Sequence, residues 1–334
     1  MIRIAWEDVG RLVDDAIRAR RGMVLSTHVN PDGDGLGSEL GLYHHLTARG
    51  ARARIINNDP VHRKYAFLPG ADKVEVYDEA IHRAYIEEAA LFFVLDNSSP
   101  ERLGRVLEPA RATAARKVCI DHHVTTDPFW DVNCIDVDAP ASGQLVYQMI
   151  KALGGRITPE IAVALYVSYV TDTGHFRFSK TTASVHRIIG ELMDTGAIDP
   201  PRIYRAIFEG VSPGSNRLVG AALTDTHYEY GGRLAWARLT HAQLESNGGV
   251  DEDTGDLVNM LLSVEGVKAA ALFKEVDASH TKVSLRSLGD VDVHALASRL
   301  GGGGHRNASG VSMSAPLEEG VRRVVDGMKE VLGA

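Results

Sequence analysis

Short apolar runs alternate with longer stretches of helical periodicity from residue 22 to about residue 180. The apolar runs predict strands, at residues 22–29, 51–58, 89–99 and 115–123. Apolar residues at helical spacing predict helices, at residues 36–50, 143–155 and 159–174. Strands that alternate with helices in this way favour an α/β domain, which has a mostly parallel sheet with helices on both faces.

The pattern changes beyond about residue 183. It predicts two helices at residues 183–196 and 200–212, then a linker at 212–216 and a hairpin around Gly231-Gly232 at 227–240. Two strands about a polar turn are predicted at 267–289, a helix that runs into glycines at 292–310, and an amphipathic helix at 317–332. These elements predict a second, smaller α+β domain. We expect the first domain over residues 1–190, a helical linker over 191–220 and the second domain over 221–334.

Composition narrows the class of protein. The chain has 334 residues, of which 44% are hydrophobic and 24% charged, as is usual for globular proteins. It contains no apolar run of the roughly 18 residues that a membrane helix needs, and its N-terminus lacks the apolar region of a secretory signal. Two cysteines, Cys119 and Cys134, do not provide a disulfide framework. We therefore expect a cytoplasmic protein without a membrane segment.

The net charge of −8 argues against long duplex DNA as a partner, because such binding depends on many Lys and Arg contacts to phosphate. A small phosphorylated ligand, held by metal ions and a few arginines, remains compatible with this charge.

Acidic and histidine side chains follow the predicted strands at the point where each strand ends. The set consists of four aspartates and three histidines next to strands and one aspartate at the end of an apolar helix, namely His28, Asp32, Asp34, Asp96, Asp121, His122, His123 and Asp172. In a parallel sheet the carboxyl ends of the strands share one edge, where open α/β sheets bind their ligands. We therefore expect these side chains to meet in one crevice.

Carboxylate oxygens and neutral imidazoles without thiolates suit manganese, magnesium or zinc. Two such ions, bridged by one carboxylate, can activate water and stabilise a phosphoryl oxygen. Each motif also has a simpler interpretation: a polar turn at residues 30–35, a helix N-cap at Asp96, surface histidines at 122 and 123, and a helix-end acid at Asp172. Four such coincidences at one sheet edge are less probable than one metal site.

A glycine-rich stretch at residues 300–310 lacks the Lys-Ser or Lys-Thr pair of a P-loop. Its backbone N–H groups can still face an anion, with His305, Arg306 and Asn307 beside Gly302, Gly303 and Gly304. Arg286, in a predicted strand, could grip a phosphate with its planar guanidinium. The alternatives are a structural loop and a surface arginine.

Together these motifs resemble the DHH phosphoesterase superfamily, which is named for the triplet found here as Asp121-His122-His123. His28 with Asp32 and Asp34 resembles its first motif, and Asp96 and Asp172 match later ones. The stretch at 301–310 is similar to the signature of the DHH-associated C-terminal domain. Chain length and domain pairing are most similar to the NrnA-like subgroup of nanoRNases and pAp phosphatases.

The resemblance implies a role for each matching residue. His28 and Asp32 would hold one metal ion, Asp34, His122 and Asp172 the other, and Asp96 would bridge them. His123 would contact the scissile phosphate, and Asp121 would orient its neighbours. Arg286 and the residues of the glycine-rich stretch would bind the end of the substrate from the second domain, so that the active site would lie in a cleft between domains that are joined through residues 209–216.

The implied activity is hydrolysis of very short oligoribonucleotides to mononucleotides, and of 3′-phosphoadenosine 5′-phosphate (pAp) to AMP. It would use two divalent metal ions. The resemblance suggests manganese, and magnesium is an alternative. A cyclic or linear dinucleotide phosphodiesterase is the alternative enzyme. A nucleotide-binding regulator that has lost its chemistry is the alternative of another class, although no expected ligand is missing. A homodimer is compatible with the amphipathic N-terminal helix, although we expect that helix to cover the protein's own sheet.

Overall fold

The computed structural model describes residues 6–123, 127–209, 212–248, 254 and 257–333. The chain divides into two compact units, Met1–Ile207 and Phe208–Ala334. Among the helices of the described residues, none combines the length and the apolar character needed to cross a membrane.

The N-terminal unit is built on one six-stranded sheet in which every pairing is parallel. Its strands are β1 (Gly22–Ser26), β2 (Arg52–Asn57), β3 (Val74–Val76), β4 (Leu91–Leu95), β5 (Arg116–Asp121) and β6 (Val132–Ile135), and their order across the sheet is β3-β2-β1-β4-β5-β6. The order reverses direction beside β1, which is the position at which open α/β sheets place their ligand crevice. The predicted parallel α/β domain is confirmed.

Helices cover this sheet because its strands are apolar on both faces. The helices of the unit are α1 (Trp6–Arg18), α2 (Gly33–Ala48), α3 (Glu79–Glu88), α4 (Leu107–Ala112), α5 (Ser142–Ala152), α6 (Pro159–Asp172), α7 (Ala183–Met193) and α8 (Pro200–Phe208). Val24, Phe92 and Cys119 pack with Ile86 of α3 and Ala110 of α4 in one buried cluster. Burial on both faces explains why the strands read as continuous apolar runs rather than as alternating ones.

Close packing of α2 against α6 brings two predicted motifs together. At Gly37, a Cβ atom would lie 2.4 Å from the carbonyl oxygen of Ala164, so only glycine allows the two backbones to approach this closely. Nearly all of α6 is buried, and it carries Asp172 at its C-terminal end. The glycines of the first motif therefore allow α6, which carries Asp172, to pack closely against α2.

The C-terminal unit contains a mixed six-stranded sheet, of order β11-β12-β10-β9-β8-β7. Its strands are β7 (His227–Glu229), β8 (Leu234–Leu239), β9 (Ala269–Asp277), β10 (His280–Ser287), β11 (Gly303–His305) and β12 (Ala308–Met313), and its helices are α9 (Pro213–Thr224), α10 (His241–Glu245), α11 (Leu257–Leu262), α12 (Val293–Arg299) and α13 (Leu317–Val331). Only the β8–β9 pairing is parallel. The predicted second α+β unit is confirmed.

The predicted linker at residues 212–216 is wrong. Ser212 caps α9 by accepting a hydrogen bond from the backbone N–H of Ser215 at 2.9 Å, and Pro213 occupies the first helical position, where its missing N–H costs nothing. The residues that suggested a linker are thus a helix start. Gly210 and Val211, in the predicted connection at 209–216, lie outside the described residues, and the predicted domain limits at 190 and 220 remain predictions.

Candidate active site

The first motif lies at the junction of β1 and α2. The helix begins at Gly33, three residues before the predicted start, with Asp32 as its N-cap accepting hydrogen bonds from the backbone N–H groups of Asp34 (2.9 Å) and Gly35 (3.2 Å). His28 is buried, and its Nδ1 lies 2.8 Å from the carbonyl oxygen of Val29. The helix N-terminus favours negative charge, so Asp32 and Asp34 sit where carboxylates are stabilised.

Asp96 directly follows β4 in a strained backbone conformation. Its φ is +55°, a left-handed value that costs a non-glycine residue free energy and is typical of functional sites. The alternative that Asp96 caps a helix is wrong, because the next helical turn begins at Pro100 with Ser99 at its N-cap. The left-handed conformation instead places the buried carboxylate of Asp96 at the end of β4.

The triplet Asp121-His122-His123 ends β5, the strand beside β4. Oδ1 of Asp121 accepts hydrogen bonds from the backbone N–H groups of His122 (2.7 Å) and His123 (3.2 Å), and lies 2.7 Å from Nδ1 of His123. Nδ1 of His122 lies 3.1 Å from the carbonyl oxygen of Ala139. The aspartate therefore fixes the turn and the ring of His123, while His122 is oriented by the backbone.

The structure brings the predicted ligand residues into two groups. In the first group, Nε2 of His28 lies 3.5 Å from Oδ2 of Asp96 and 4.0 Å from Oδ1 of Asp32. In the second, Nε2 of His122 lies 3.0 Å from Oδ2 of Asp172 and 3.6 Å from Oδ2 of Asp34.

Asp96 belongs to both groups. One of its oxygens, Oδ2, faces His28, and the other, Oδ1, lies 3.5 Å from Nε2 of His122. A carboxylate that offers one oxygen to each of two ligand sets has the geometry of a bridging ligand.

The carboxylate of Asp34 is held by donors that sequence reasoning missed. They are one hydroxyl from its own helix, one from α6 and two backbone N–H groups at the start of α5, namely Ser38 Oγ (3.1 Å), Ser168 Oγ (2.5 Å), Ser142 N (2.7 Å) and Gly143 N (3.1 Å). The hydroxyl of Ser142 also donates to Asp96 Oδ1 at 3.0 Å. The available signal was Ser168, a polar residue inside the otherwise apolar stretch of α6.

The electrostatics of the cluster favour a cation. Burial, together with the nearby carboxylates of Asp96 and Asp172, raises the pKa of Asp34 well above its ordinary value. Burial would lower the pKa of His28, but the hydrogen bond to Asp96 and the charge of Asp32 raise it to about 9. Without a metal ion, protonation of Asp34 and of the His28 imidazole relieves the repulsion between the carboxylates.

The donor set fits divalent cations. Carboxylate oxygens and imidazoles are ligands for manganese, magnesium and zinc. In both His28 and His122 the Nδ1 atom contacts a backbone carbonyl oxygen, and Nε2 faces the carboxylates. Metal-binding histidines are usually oriented by such a hydrogen bond from the opposite ring nitrogen.

Behind the cluster lies a buried carboxyl group that the sequence did not single out. Glu39 of α2 accepts a hydrogen bond from Asn57 Nδ2 at 2.9 Å, and Asn57 Oδ1 accepts one from the backbone N–H of Thr27 at 3.3 Å. Thr27 precedes His28, so these hydrogen bonds connect Glu39 to the backbone next to the first motif. Burial raises the pKa of Glu39 to about 8, against the opposing effect of Asn57.

Replacing Glu39 with glutamine should make the metal-free protein more stable at pH 8 and change little near pH 4.5. A folded-state pKa of about 8 means that Glu39 is protonated when folded but ionised when unfolded, so stability falls as pH rises from about 4.5 towards 8. At pH 7 this penalty is roughly 3 kcal/mol. Urea unfolding of wild type and Glu39→Gln in EDTA across this range measures it, with Glu88→Gln on the exposed end of α3 as control. An equal difference at every pH would contradict it.

The residues predicted to bind substrate lie in the C-terminal unit. Arg286, in β10, pairs across the sheet with Ala308 and Ala270, and its Nη1 donates to the carbonyl oxygen of Leu285 at 3.0 Å. The glycine-rich stretch is a hairpin rather than an open loop, since Gly303–His305 forms the edge strand β11.

Within this hairpin, Gly302 and Gly304 are required by close contacts: a Cβ atom would lie 2.1 Å from the Gly310 oxygen and 2.5 Å from the Ala308 oxygen, respectively. Asn307 directs its Nδ2 at three oxygens within 3.1 Å, those of Ser287 Oγ, Gly289 O and Val291 O. Arg306 Nη2 donates to the carbonyl oxygen of Asp290 at 2.8 Å. The side chain of Asn307 thus braces the hairpin.

The chain is similar to known proteins over nearly its full length. The chain is 34% identical, over 98% of its length and 95% of the relative's, to the bifunctional oligoribonuclease and PAP phosphatase NrnA of Thermus thermophilus. It is 28% identical to the protein of the same description in Bacillus subtilis, over 87% of this chain and 89% of that one. An exopolyphosphatase-related protein from Bacteroides fragilis has the same fold, with a TM-score of 0.90 and 28% identity over 97% of this chain and 95% of that chain.

Two family models match successive parts of the sequence. Residues 23–168 match the N-terminal domain of the DHH family, and residues 237–334 match the DHHA1 domain. The first match spans the strands that end in the two ligand groups, and the second spans most of the C-terminal sheet with its glycine-rich hairpin. The chain therefore belongs to the DHH family of phosphoesterases, and carries the DHHA1 domain after the DHH domain.

Proposed function

We propose that this chain is a phosphoesterase that uses two divalent metal ions to trim very short oligoribonucleotides to mononucleotides and to convert pAp into AMP. The observation that carries the proposal is Asp96, whose two oxygens face two separate groups of ligands. His28 and Asp32 would hold one ion, and Asp34, His122 and Asp172 the other. When bound, such ions polarise the phosphoryl group and supply a nucleophilic water.

The chain's own residues would position and stabilise the phosphate. Burial would lower the pKa of His123, but its hydrogen bond with Asp121 raises it, which favours an imidazolium that can donate to a phosphate oxygen as negative charge develops. The same hydrogen bond holds Asp121 ionised, since it lowers the pKa of that carboxyl against the effect of burial. Asp121 would therefore orient the His123 ring and favour its protonated form, without itself contacting the phosphate.

Substrate binding is assigned to the C-terminal unit. Arg286, His305 and the backbone of Gly302, Gly303 and Gly304 would bind the terminal phosphate or end nucleotide, with Arg306 beside them and Asn307 shaping the hairpin. The names of the curated relatives support both substrates, since oligoribonuclease and PAP phosphatase activities appear together in them. Manganese is the proposed metal.

The test is turnover of four substrates by metal-stripped protein to which manganese or magnesium is returned. These are pAp, a 5′-labelled RNA of three nucleotides, a long single strand and cyclic di-AMP. We expect release from pAp and the trimer and little from the long strand, because a net charge of −8 gives weak attraction for an extended polyanion.

Asp96→Ala serves as the control for a contaminating nuclease. Preference for cyclic di-AMP would instead make the protein a signal-degrading phosphodiesterase. Wild type that is inert on all four substrates but binds nucleotides tightly would be a regulator, and the enzyme proposal would be abandoned.

A further inference from the structure

Lys180 reaches into the loop that joins β6 to α5. Its Nζ donates to the carbonyl oxygens of Val137 at 2.7 Å and Ala139 at 3.1 Å. The side chain is half-buried. A single ammonium that bonds two carbonyl oxygens two residues apart holds the backbone between them in one conformation, because an alternative conformation of the loop would leave these groups without a partner.

The loop held by Lys180 orients His122. The oxygen of Ala139 that accepts from Lys180 also lies 3.1 Å from Nδ1 of His122. Hydrogen bonding at Nδ1 decides the tautomer and the direction of the ring. Lys180 therefore fixes the position of the carbonyl group that directs Nε2 of His122 towards Asp172 and Asp34.

The same loop leads into the helix start that holds Asp34. Two residues after Ala139 comes the N-cap of α5, and the next two backbone N–H groups, of Ser142 and Gly143, donate to the carboxylate of Asp34. A shift of the loop would move these donors together with the Ala139 oxygen. His122 and Asp34 thus depend on one short segment.

Lys180 also belongs to the chain segment that begins at Asp172. Three successive residues with left-handed φ values, Gly174 (+55°), His175 (+59°) and Phe176 (+64°), follow that helix end. They lie in the turn that follows α6 and leads to Lys180. Such values cost non-glycine residues free energy, so this turn is a constrained feature.

We infer that Lys180 is a positioning residue which ties together Asp34, His122 and Asp172, one of the two ligand groups, and that its removal affects this group more than the group of His28 and Asp32. The inference rests on the proposed metal site. It adds a residue that contacts neither the ligands nor the phosphate but decides the affinity of one ion.

A positioning role and a purely electrostatic role predict opposite results for Lys180→Met. An ammonium close to a cation site repels the cation, so its removal would tighten binding if charge were its only effect. Loss of the backbone tie should instead weaken binding at one site by about tenfold to a hundredfold, as is typical when groups that orient a ligand are removed.

The experiment is manganese binding by calorimetry, with free Mn²⁺ followed by its EPR signal. Lys180→Met should weaken one of two binding events, and Lys180→Arg should restore most of the affinity because a guanidinium keeps both the donors and the charge. Lys117→Met is the matched control, since Nζ of Lys117 also contacts a carbonyl oxygen, that of Thr113 at 3.4 Å, at the opposite end of β5. Thermal unfolding of each variant verifies that it is folded.

Combination with ligand variants identifies the affected site. Lys180→Met should weaken the remaining site in a His28→Ala background and have a much smaller effect in an Asp172→Ala background. Unchanged or tighter binding by folded Lys180→Met would overturn the inference while leaving the phosphoesterase proposal intact. Failure of wild type to bind manganese would overturn the metal site itself.

Discussion

Replacing Asp96 with alanine should abolish hydrolysis of pAp and of short RNA, with a fall in kcat/KM of at least about a thousandfold. The variant loses the one carboxylate that faces both ligand groups. Losing several kcal/mol of transition-state charge stabilisation corresponds to about three powers of ten in rate. Steady-state kinetics with saturating manganese measure the loss, and calorimetry should show that the affinity of both sites has fallen.

Two variants make this result specific. Asp96→Asn has the same shape but no charge, and should fall between wild type and alanine if the bridging charge matters. Asp131→Ala removes an acid at the amino end of β6, whose carboxylate accepts a hydrogen bond from the backbone N–H of Lys117 at 2.8 Å, and should leave activity unchanged. Full activity of Asp96→Ala would show that the cluster is not the catalytic centre.

Replacing His123 with alanine should lower kcat by about a hundredfold to ten-thousandfold, the range typical of a lost proton donor, while metal affinity changes little. His123 Nδ1 is engaged with Asp121 at 2.7 Å, which suits a ring that acts on the phosphate. Kinetics and manganese calorimetry on the same preparation distinguish a residue that acts on the phosphate from a residue that binds the metal ion. A large loss of metal affinity in this variant would instead make His123 a ligand.

The partner of His123 provides a pH test of the same role. Because Asp121 helps to raise the pKa of His123, Asp121→Asn should lower it. If the imidazolium is the active form, activity falls as pH rises through that pKa, so the decline should begin at a lower pH in Asp121→Asn than in wild type. Superimposable pH profiles of kcat would contradict this assignment.

The four central strands of the N-terminal unit and the helices α2, α5 and α6 were predictable because local chemistry marks them. Continuous apolar runs such as 91–95 indicate strands that are buried on both faces. The helices α3 and α4, which precede β4 and β5, were not predicted. Two short strands, Val74–Val76 and Val132–Ile135, escaped prediction because three or four residues leave too little periodicity to detect. Their pairing with β2 and β5 depends on neighbours that are distant in sequence.

Boundaries and loop conformations were less predictable than elements. Helix α2 starts at Gly33, where the sequence suggested a polar turn, because capping by Asp32 outweighs the low helix propensity of the glycines. The stretch at 300–310 suggested an open loop, but its glycines allow β11 and β12 to form a close hairpin. A local cap decided the start of α2, whereas contacts between two strands decided the conformation of the hairpin.

The sequence by itself determined that the acidic and histidine side chains which follow the strands would share one edge, since parallel strands place their carboxyl ends together. Tertiary structure decided how they divide. The left-handed backbone at Asp96, the approach of α6 to α2 at Gly37 and the reach of Lys180 to the loop before α5 all arise from packing between segments far apart in the chain. The chemistry of a candidate ligand depends on one side chain, whereas its neighbours in the site depend on how distant segments of the chain pack together.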